Sequence, residues 1–450
     1  MTTIALQRPP RLSRRPSRLL LAPLAALAVV AATYLLASPA HQPVAVAQVP
    51  AGPGVGSLEQ IDHSIRAWTT NLAANDRDFY SATNLGLLYD ARGRLTGEVA
   101  DYQRAREALG RALAILPAHL PARLLHARIL QATHDFPGAL AEANQLLRED
   151  PNQVQALATA GDARLELGDL DGAAVAVAEL SRLAPGAPVT ARLSRLAFLR
   201  GDPAAALALA SRSFDESRAA GESGPALGWY AYLAGTTALA GGDSDGALRW
   251  FEQAVGAWPG GYLPLAGQAR AEAALGRFGT AIELYRRAIA IAPQPDAIAA
   301  LGDLYQLRGE TRLAADQFEV VDAIGRLAAI NEQVYNRQLV LFAVNHGRDV
   351  ARALTLAERE LQVRKDVYGY DAYAWALLAN GRPADADVAI RQALAAGTRD
   401  SLLEYHAGMI ALALHDRARA ELLLSSALGR SGALDPRAVA DARQALEGLR

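Results

Sequence analysis

The sequence predicts an all-α protein: an α-α superhelix, or solenoid, of about ten helical hairpins preceded by one N-terminal transmembrane or signal helix. Three observations carry this prediction. Alanines recur in phase along most of the chain, small residues and prolines stand at fixed offsets from them, and an uncharged apolar run follows an arginine-rich start.

Residues 1–18 hold Arg8, Arg11, Arg14, Arg15 and Arg18 and no acid, and read as a cytoplasmic basic segment. Residues 19–37, LLLAPLAALAVVAATYLLA, carry no charge. As a helix they span about 28 Å at ~1.5 Å per residue, close to the ~30 Å hydrocarbon core of a bilayer. Arginine on the N-terminal side alone keeps that end in the cytoplasm and exports the rest. The expected location is therefore the cytoplasmic membrane, single-pass, with the C-terminal repeats extracytoplasmic. Ala45-Val46-Ala47 offers the alternative of signal cleavage near Ala47 and a secreted or periplasmic product. Residues 38–56, with Pro39, Pro43, Pro50 and Pro53 among glycines, read as a linker.

Residues 57–450 read as one solenoid with capping helices. Ser57, with Gln60 three residues on, has the form of a capping box opening an amphipathic helix through Ile61, Ile65, Trp68 and Leu72. The pattern is stated most fully from Trp229 to Pro259, where Gly242-Asp243 makes a turn between two helical periods. Counterparts of Ala247 are Ala105, Ala139, Ala173, Ala206, Ala281, Ala314, Ala353, Ala386 and Ala420, at intervals of 34, 34, 33, 41, 34, 33, 39, 33 and 34. Twelve residues before the alanine a small residue usually stands (Ala127, Gly161, Ser194, Gly235, Ala269, Gly302, Ala374, Gly408), which lets paired helices approach closely. Four residues after it an apolar and often large side chain (Leu109, Val177, Phe251, Tyr285, Phe318) is expected to fill the gap to the next hairpin. Pro117, Pro151, Pro185, Pro259 and Pro293 end second helices. Irregular spacings place insertions near 93–101, lengthening the first turn, near 217–225, as a loop or longer second helix, and near 321–347. Asp435-Pro436 opens a last helix that caps the stack.

These residues resemble the tetratricopeptide repeat family, whose period is 34 and whose signature runs Trp-x2-Leu-Gly-x2-Tyr, then Ala-x3-Phe, then Pro. Leu85-Gly86-x2-Tyr89, Leu301-Gly302-x2-Tyr305, Ala247-x3-Phe251 and Ala281-x3-Tyr285 carry the resemblance, and the last two hairpins look like those of exported or membrane-anchored bacterial members. The resemblance implies a binding scaffold whose first helices line a concave wall. It places Arg128, Asp162, Arg195, Thr236, Arg270 and Asp303 in one row on that wall, with Tyr232, Trp375 and Tyr405 nearby. The alternative reading of the row, which nearly alternates in sign, is a ladder of charge pairs between repeats. The family's clamp for C-terminal carboxylates needs lysines and asparagines at such positions, and none stand there.

Composition excludes much chemistry. There is no cysteine, hence no disulfide, thiol nucleophile, cysteine-bound zinc or lipoprotein anchor. Lys365 is the only lysine and no phosphate loop surrounds it; H-E-x-x-H and G-x-S-x-G are absent. The eight histidines form no i,i+4 metal pair, and His126, His134 and His406 read as packing or turn residues. Net charge is −2, and more acidic without the N-terminal arginines, which argues against a nucleic-acid partner. The expectation is a non-enzymatic scaffold with no catalytic residue, metal or cofactor, binding a protein or peptide outside the cytoplasmic membrane. The alternative is an accessory subunit of an envelope enzyme or secretion complex that also contacts its partner through the anchor helix. An enzyme working through scattered carboxylates is a third reading.

Overall fold

The computed structural model describes residues 57–330 and 337–449. The basic segment, the apolar run and the linker expected at residues 1–56 lie outside these. Among the described residues there are 22 α-helices, one short 3-10 turn and no strand. No helix among them is long and apolar enough to cross a membrane.

Helix α1 (Leu58–Ala74) leads into ten hairpins. They are α2 (Phe79–Thr96) with α3 (Val99–Ile115), α4 (Leu120–Ala132) with α5 (Phe136–Glu149), α6 (Val154–Glu166) with α7 (Leu170–Leu183), α8 (Ala187–Leu199) with α9 (Pro203–Ala219), and α10 (Gly224–Ala240) with α11 (Ser244–Ala257). The second half continues with α12 (Tyr262–Ala274) and α13 (Phe278–Ile291), α14 (Pro295–Leu307) and α15 (Thr311–Ile330), α16 (Arg337–Asn345) and α17 (Val350–Val363), α18 (Val367–Ala379) and α19 (Pro383–Leu394), and α20 (Ser401–Ala413) and α21 (Arg417–Gly429). Helix α22 (Pro436–Leu449) packs on α21 and α20, as the first helix of a further hairpin would.

Local chemistry sets the ends of these helices. The Ser57–Gln60 capping box forms, with both reciprocal bonds in place. Most second helices begin at an aspartate: Asp135, Asp169, Asp202, Asp243 and Asp416 each accept a bond from the backbone N–H three residues on, satisfying a donor that has no partner within the helix. Second helices stop at Ile115, Glu149, Leu183, Ala257 and Ile291, two residues before the prolines that forbid continuation.

The ten phased alanines are all buried, none more than 3% exposed. The residue four positions later fills its own hairpin as well as the gap to the next. Phe251 is wedged between Gly235 of α10 and Gly267 of α12; Leu109 meets Gly86, Phe318 meets Gly302 and Leu424 meets Gly408. A side chain on Gly235 would place its Cβ 2.7 Å from the Phe251 ring, so the small residue is there to admit the large one. The insertion near 93–101 does not lengthen a turn as expected. It is absorbed as helix, giving α2 and α3 lengths of 18 and 17 residues. Extending a helix satisfies each added backbone group internally, whereas a loop leaves them to solvent. The insertion near 217–225 likewise lengthens α9 and α10 to 17 residues each.

The superhelix returns upon itself after six hairpins. The turn inside one hairpin rests on the connector that precedes the hairpin six places later: Gly97 near Ala292 and Gln294, Gly168 on Lys365, Gly201 on Gly397, and Gly242 on Arg430. Gly168 and Gly201 both have φ +81°, and a Cβ on Gly168 would lie 2.5 Å from the Lys365 carbonyl oxygen. Thr398 Oγ1 donates to the Leu199 carbonyl at 2.5 Å, a buried bond between residues 199 apart in sequence. One apolar cluster includes Leu165, Leu196 and Leu199 from one turn of the superhelix and Val367, Leu377 and Leu403 from the next.

Candidate functional site

The inner wall is built from the first helices of the hairpins, and its polar residues pair mainly with the neighbouring first helix. Arg128 on α4 binds Asp90 on α2. Asp162 on α6 accepts two bonds from Arg192 on α8, at 2.8 and 2.6 Å. Arg195 on α8 binds Glu166 on α6, which Arg364 also holds at 2.8 Å from the connector ahead of α18. Arg270 on α12 stands 3.8 Å from Asp296 on α14, and Asp303 on α14 is 2.9 Å from Nε2 of His346 beyond α16. The members of the predicted row therefore do not pair with one another: the five charged ones each engage a different residue on an adjacent element, and Thr236 donates to the Tyr232 and Leu233 carbonyls of its own helix.

These pairs exist because the wall is partly withdrawn from water. Burial, the largest influence on Arg195, pushes its pKa down, but the charge of Glu166 and the hydrogen bond to it outweigh that and hold it above the ordinary value. Burial would raise the Glu166 carboxyl, yet Arg195 and Arg364 draw it below the carboxylate range. Arg270 is likewise pushed down by burial and carried above its ordinary value by Tyr232, Tyr285 and Asp296. Arg128 ends below its ordinary value, because desolvation there exceeds the attraction of Asp90. Arg195 and Arg270 keep 40% and 43% of their side-chain area open to water.

Towards the C-terminal end the wall turns aromatic. Tyr232 on α10 is half-buried against Phe251, ring centroids 5.8 Å apart, and burial raises its pKa. Trp375 on α18 donates from Nε1 to Asn345 Oδ1 at 2.8 Å and stacks on the His406 imidazole at 4.1 Å. Tyr405 on α20 lies 5.7 Å from Trp375, centroid to centroid, and packs in the cluster formed with α22. Arg270 and Asp303 share a cleft of about 260 Å³ with Tyr285, Asn345, His346 and Asp435; Arg128, Asp162 and Arg195 lie outside it. Burial, then the nearby Asp303 charge, raises the Asp435 carboxyl against the hydrogen bonds and Arg437 that favour its ionised form.

Sequence reasoning singled out no Asp371. It is fully buried, with Oδ1 2.7 Å from Nδ1 of the equally buried His406 and Oδ2 3.8 Å from Arg337. Arg337 lies over the Tyr368 ring, whose hydroxyl donates to Asp400 at 3.2 Å. Burial raises the pKa values of both Tyr368 and Asp400. His406 is packed, as expected, and His126 sits 2.6 Å from Glu142 of its own hairpin. Other polar contacts between adjacent repeats carry a signal in the sequence, recurring at separations of 29 or 30 residues, as in Arg92–Asp62, Arg192–Asp162, Arg195–Glu166 and Trp375–Asn345; the Asp371–His406 pair, 35 apart, does not. No group of three or more histidines and acids among the described residues could hold a metal ion.

Models of the tetratricopeptide repeat match residues 98–161 and 232–296. The chain carries tetratricopeptide repeats. No curated protein sequence matches it. Similar solved structures include a human IFIT1 dimer with PPP-AAAA, 14% identical, covering 75% of this chain and 87% of that one at a TM-score of 0.42. Yeast Tom70 is 12% identical over 86% of this chain and 92% of its own, at a TM-score of 0.37. PilW, a type IV pilus biogenesis factor, is 18% identical over 48% and 94%, at 0.38. No functional weight rests on likenesses of this size. With these repeats, the inner wall is the candidate site.

Proposed function

We propose that the chain is a non-enzymatic scaffold, tethered outside the cytoplasmic membrane by residues 19–37, that takes a protein or peptide segment on the inner faces of its first helices. The observation that carries this reading is the state of Arg195 and Arg270, held by partners on neighbouring helices yet open to water over two-fifths of their side chains. Such groups are positioned in advance and keep donors for a ligand's carbonyls or carboxylates, which lowers the ordering cost of binding. Tyr232 and Trp375, both half-buried, supply stiff apolar area along the same wall, while Tyr405 is buried and packs against Trp375 from behind. A nucleic-acid partner is disfavoured because the wall arginines Arg128, Arg192, Arg195 and Arg270 all have carboxylate partners, leaving little uncompensated basic surface for phosphates.

The test is crosslinking in intact cells with the full chain, followed by capture, compared with an Arg195→Glu and Arg270→Glu double variant. Weakened capture with thermal stability changed by no more than ~1 kcal/mol per pair supports a binding wall. Capture that survives, with the loss appearing in stability instead, means that the charged row is only a ladder between repeats. The alternative reading, an accessory subunit that uses the anchor helix as a contact, predicts loss of capture when residues 19–37 are replaced by an unrelated span. A cytoplasm-only reporter fused after Arg450 should be silent; activity there would overturn the tethered, exported arrangement.

A further inference from the structure

The seam between successive turns of the superhelix is unlike the contact between successive hairpins. Neighbouring hairpins bury continuous rows of alanine, leucine and phenylalanine. The seam touches through turn residues at Gly97, Gly168, Gly201 and Gly242, through a buried hydrogen bond from Thr398 to the Leu199 carbonyl, through the Arg364–Glu166 ion pair, and through apolar side chains of both turns that join in one cluster. A cavity of about 610 Å³ opens along it, lined from one side by Gly168, Asp171 and Arg200 and from the other by Lys365, Tyr370 and Gln392. Helices α6 to α9 do not pack lengthwise against α17 to α20; the two turns meet at helix ends, so parting them exposes those ends and the apolar side chains between them without opening a helix–helix interface.

The inner face is bridged near its C-terminal end. Arg437 at the start of α22 donates to the Asn345 carbonyl at the end of α16, across the inner face, and the cleft beside it holds only about 260 Å³.

We propose that the seam is a clasp: it parts as a unit while the hairpins remain folded, converting a closed superhelix into an open one. The hairpins keep their own cores when this happens, since the alanine anchors and their glycine-facing partners lie within hairpins or between neighbours. The opening is a shear between two faces that meet end-on, so it needs no helix to break. That the opening admits a partner rests on the binding-wall reading above; the clasp itself does not, and its test uses the chain alone.

The chain has no cysteine, so two introduced ones can be labelled uniquely. Asp171→Cys with Lys365→Cys places a spin label on each lip of the seam cavity, at exposed positions. Pulsed electron paramagnetic resonance should give one narrow, short distance in buffer. In a urea series the short-distance population should be lost before the helical ellipticity falls. Adding Gly201→Val, whose side chain would overlap the Gly397 carbonyl, should replace the short distance by a longer, broader one at unchanged helix content. If that variant does not fold, Thr398→Val decides, since it removes the buried bond without adding bulk; it should shift the opening to lower urea. Distance and ellipticity changing together throughout the series would overturn the proposal, as would a folded Gly201→Val chain that keeps the narrow short distance.

Discussion

The wedge of Phe251 between two glycines sets up a reversal of sign that a mutational cycle can detect. Phe251 has no exposed surface, so Phe251→Ala removes a fully packed ring and should cost about 3–5 kcal/mol. Gly235→Ala in the native background sets a methyl 2.7 Å from that ring, closer than real contacts allow. The overpacking costs about 1–3 kcal/mol. Replacing glycine within a helix returns roughly 1 kcal/mol, so the net change is a loss of about 0–2 kcal/mol. Once Phe251 is alanine the obstruction is gone, and the same Gly235→Ala change should stabilise by about 1 kcal/mol. The coupling between the two positions is then about 1–3 kcal/mol. Urea denaturation of the four proteins by circular dichroism measures it. Hydrogen exchange of α10 and α11 should accompany it, because a repeat array need not unfold in one step. If Gly235→Ala has the same effect in both backgrounds within ~0.5 kcal/mol, the account of the small residues as sockets for the large ones is wrong.

Two further predictions concern buried ionisable groups. His134, pushed down to about 4 by burial and by Arg364, stays neutral in the fold while a histidine of the unfolded chain takes up a proton near pH 6.5. The unfolded state then binds more protons, so stability should fall as pH drops from about 6.5 towards 4, by at most ~3 kcal/mol. His134→Asn, which tolerates the positive φ of 61° at this turn, should flatten that limb in thermal melts at pH 7 and 5; equal losses in both proteins would refute the assignment. His406→Phe should cost about 3–5 kcal/mol by leaving the Asp371 carboxylate buried without its imidazole, and adding Asp371→Leu should restore most of it. A double variant no more stable than the single one, in the same urea assay, would show that the pair is not what matters there.

Local signals made the hairpins legible and distant ones did not. Ala247 and Phe251 are four residues apart on one helix, and Gly235 lies twelve earlier, so their packing is written in short-range spacing. Pro151 and Asp169 mark an end and a start that depend only on backbone donors and acceptors nearby. The insertion near 93–101 was visible as a break in phase, but spacing alone does not say whether extra residues extend a turn or a helix. The wall residues were located by position, while partners such as Glu166 depend on the offset between adjacent first helices, which appears only as the 29- or 30-residue separation, and the Asp371–His406 pair, 35 apart, falls outside even that. The return of the superhelix left almost no trace. Gly168 and Gly201 are glycines that an ordinary turn also uses, and what they touch is backbone carbonyl, which every residue has.

Stacked repeats usually gain their stability from intrinsic and nearest-neighbour terms, so that damage at one end stays there. Contact between the turns at Gly97, Gly168, Gly201 and Gly242 and connectors six hairpins on changes that arithmetic. Losing the last hairpins removes the neighbours of Gly168, Gly201 and Gly242, so a C-terminal truncation weakens the middle of the chain as well as its end. Folding carries the same signature. Bonds such as Thr398 to Leu199 form only after some two hundred residues have been brought together, which raises contact order and slows the final step. During synthesis the early hairpins are complete long before the surfaces that cover their turns exist, and the closed form is available only once the tenth hairpin has been made.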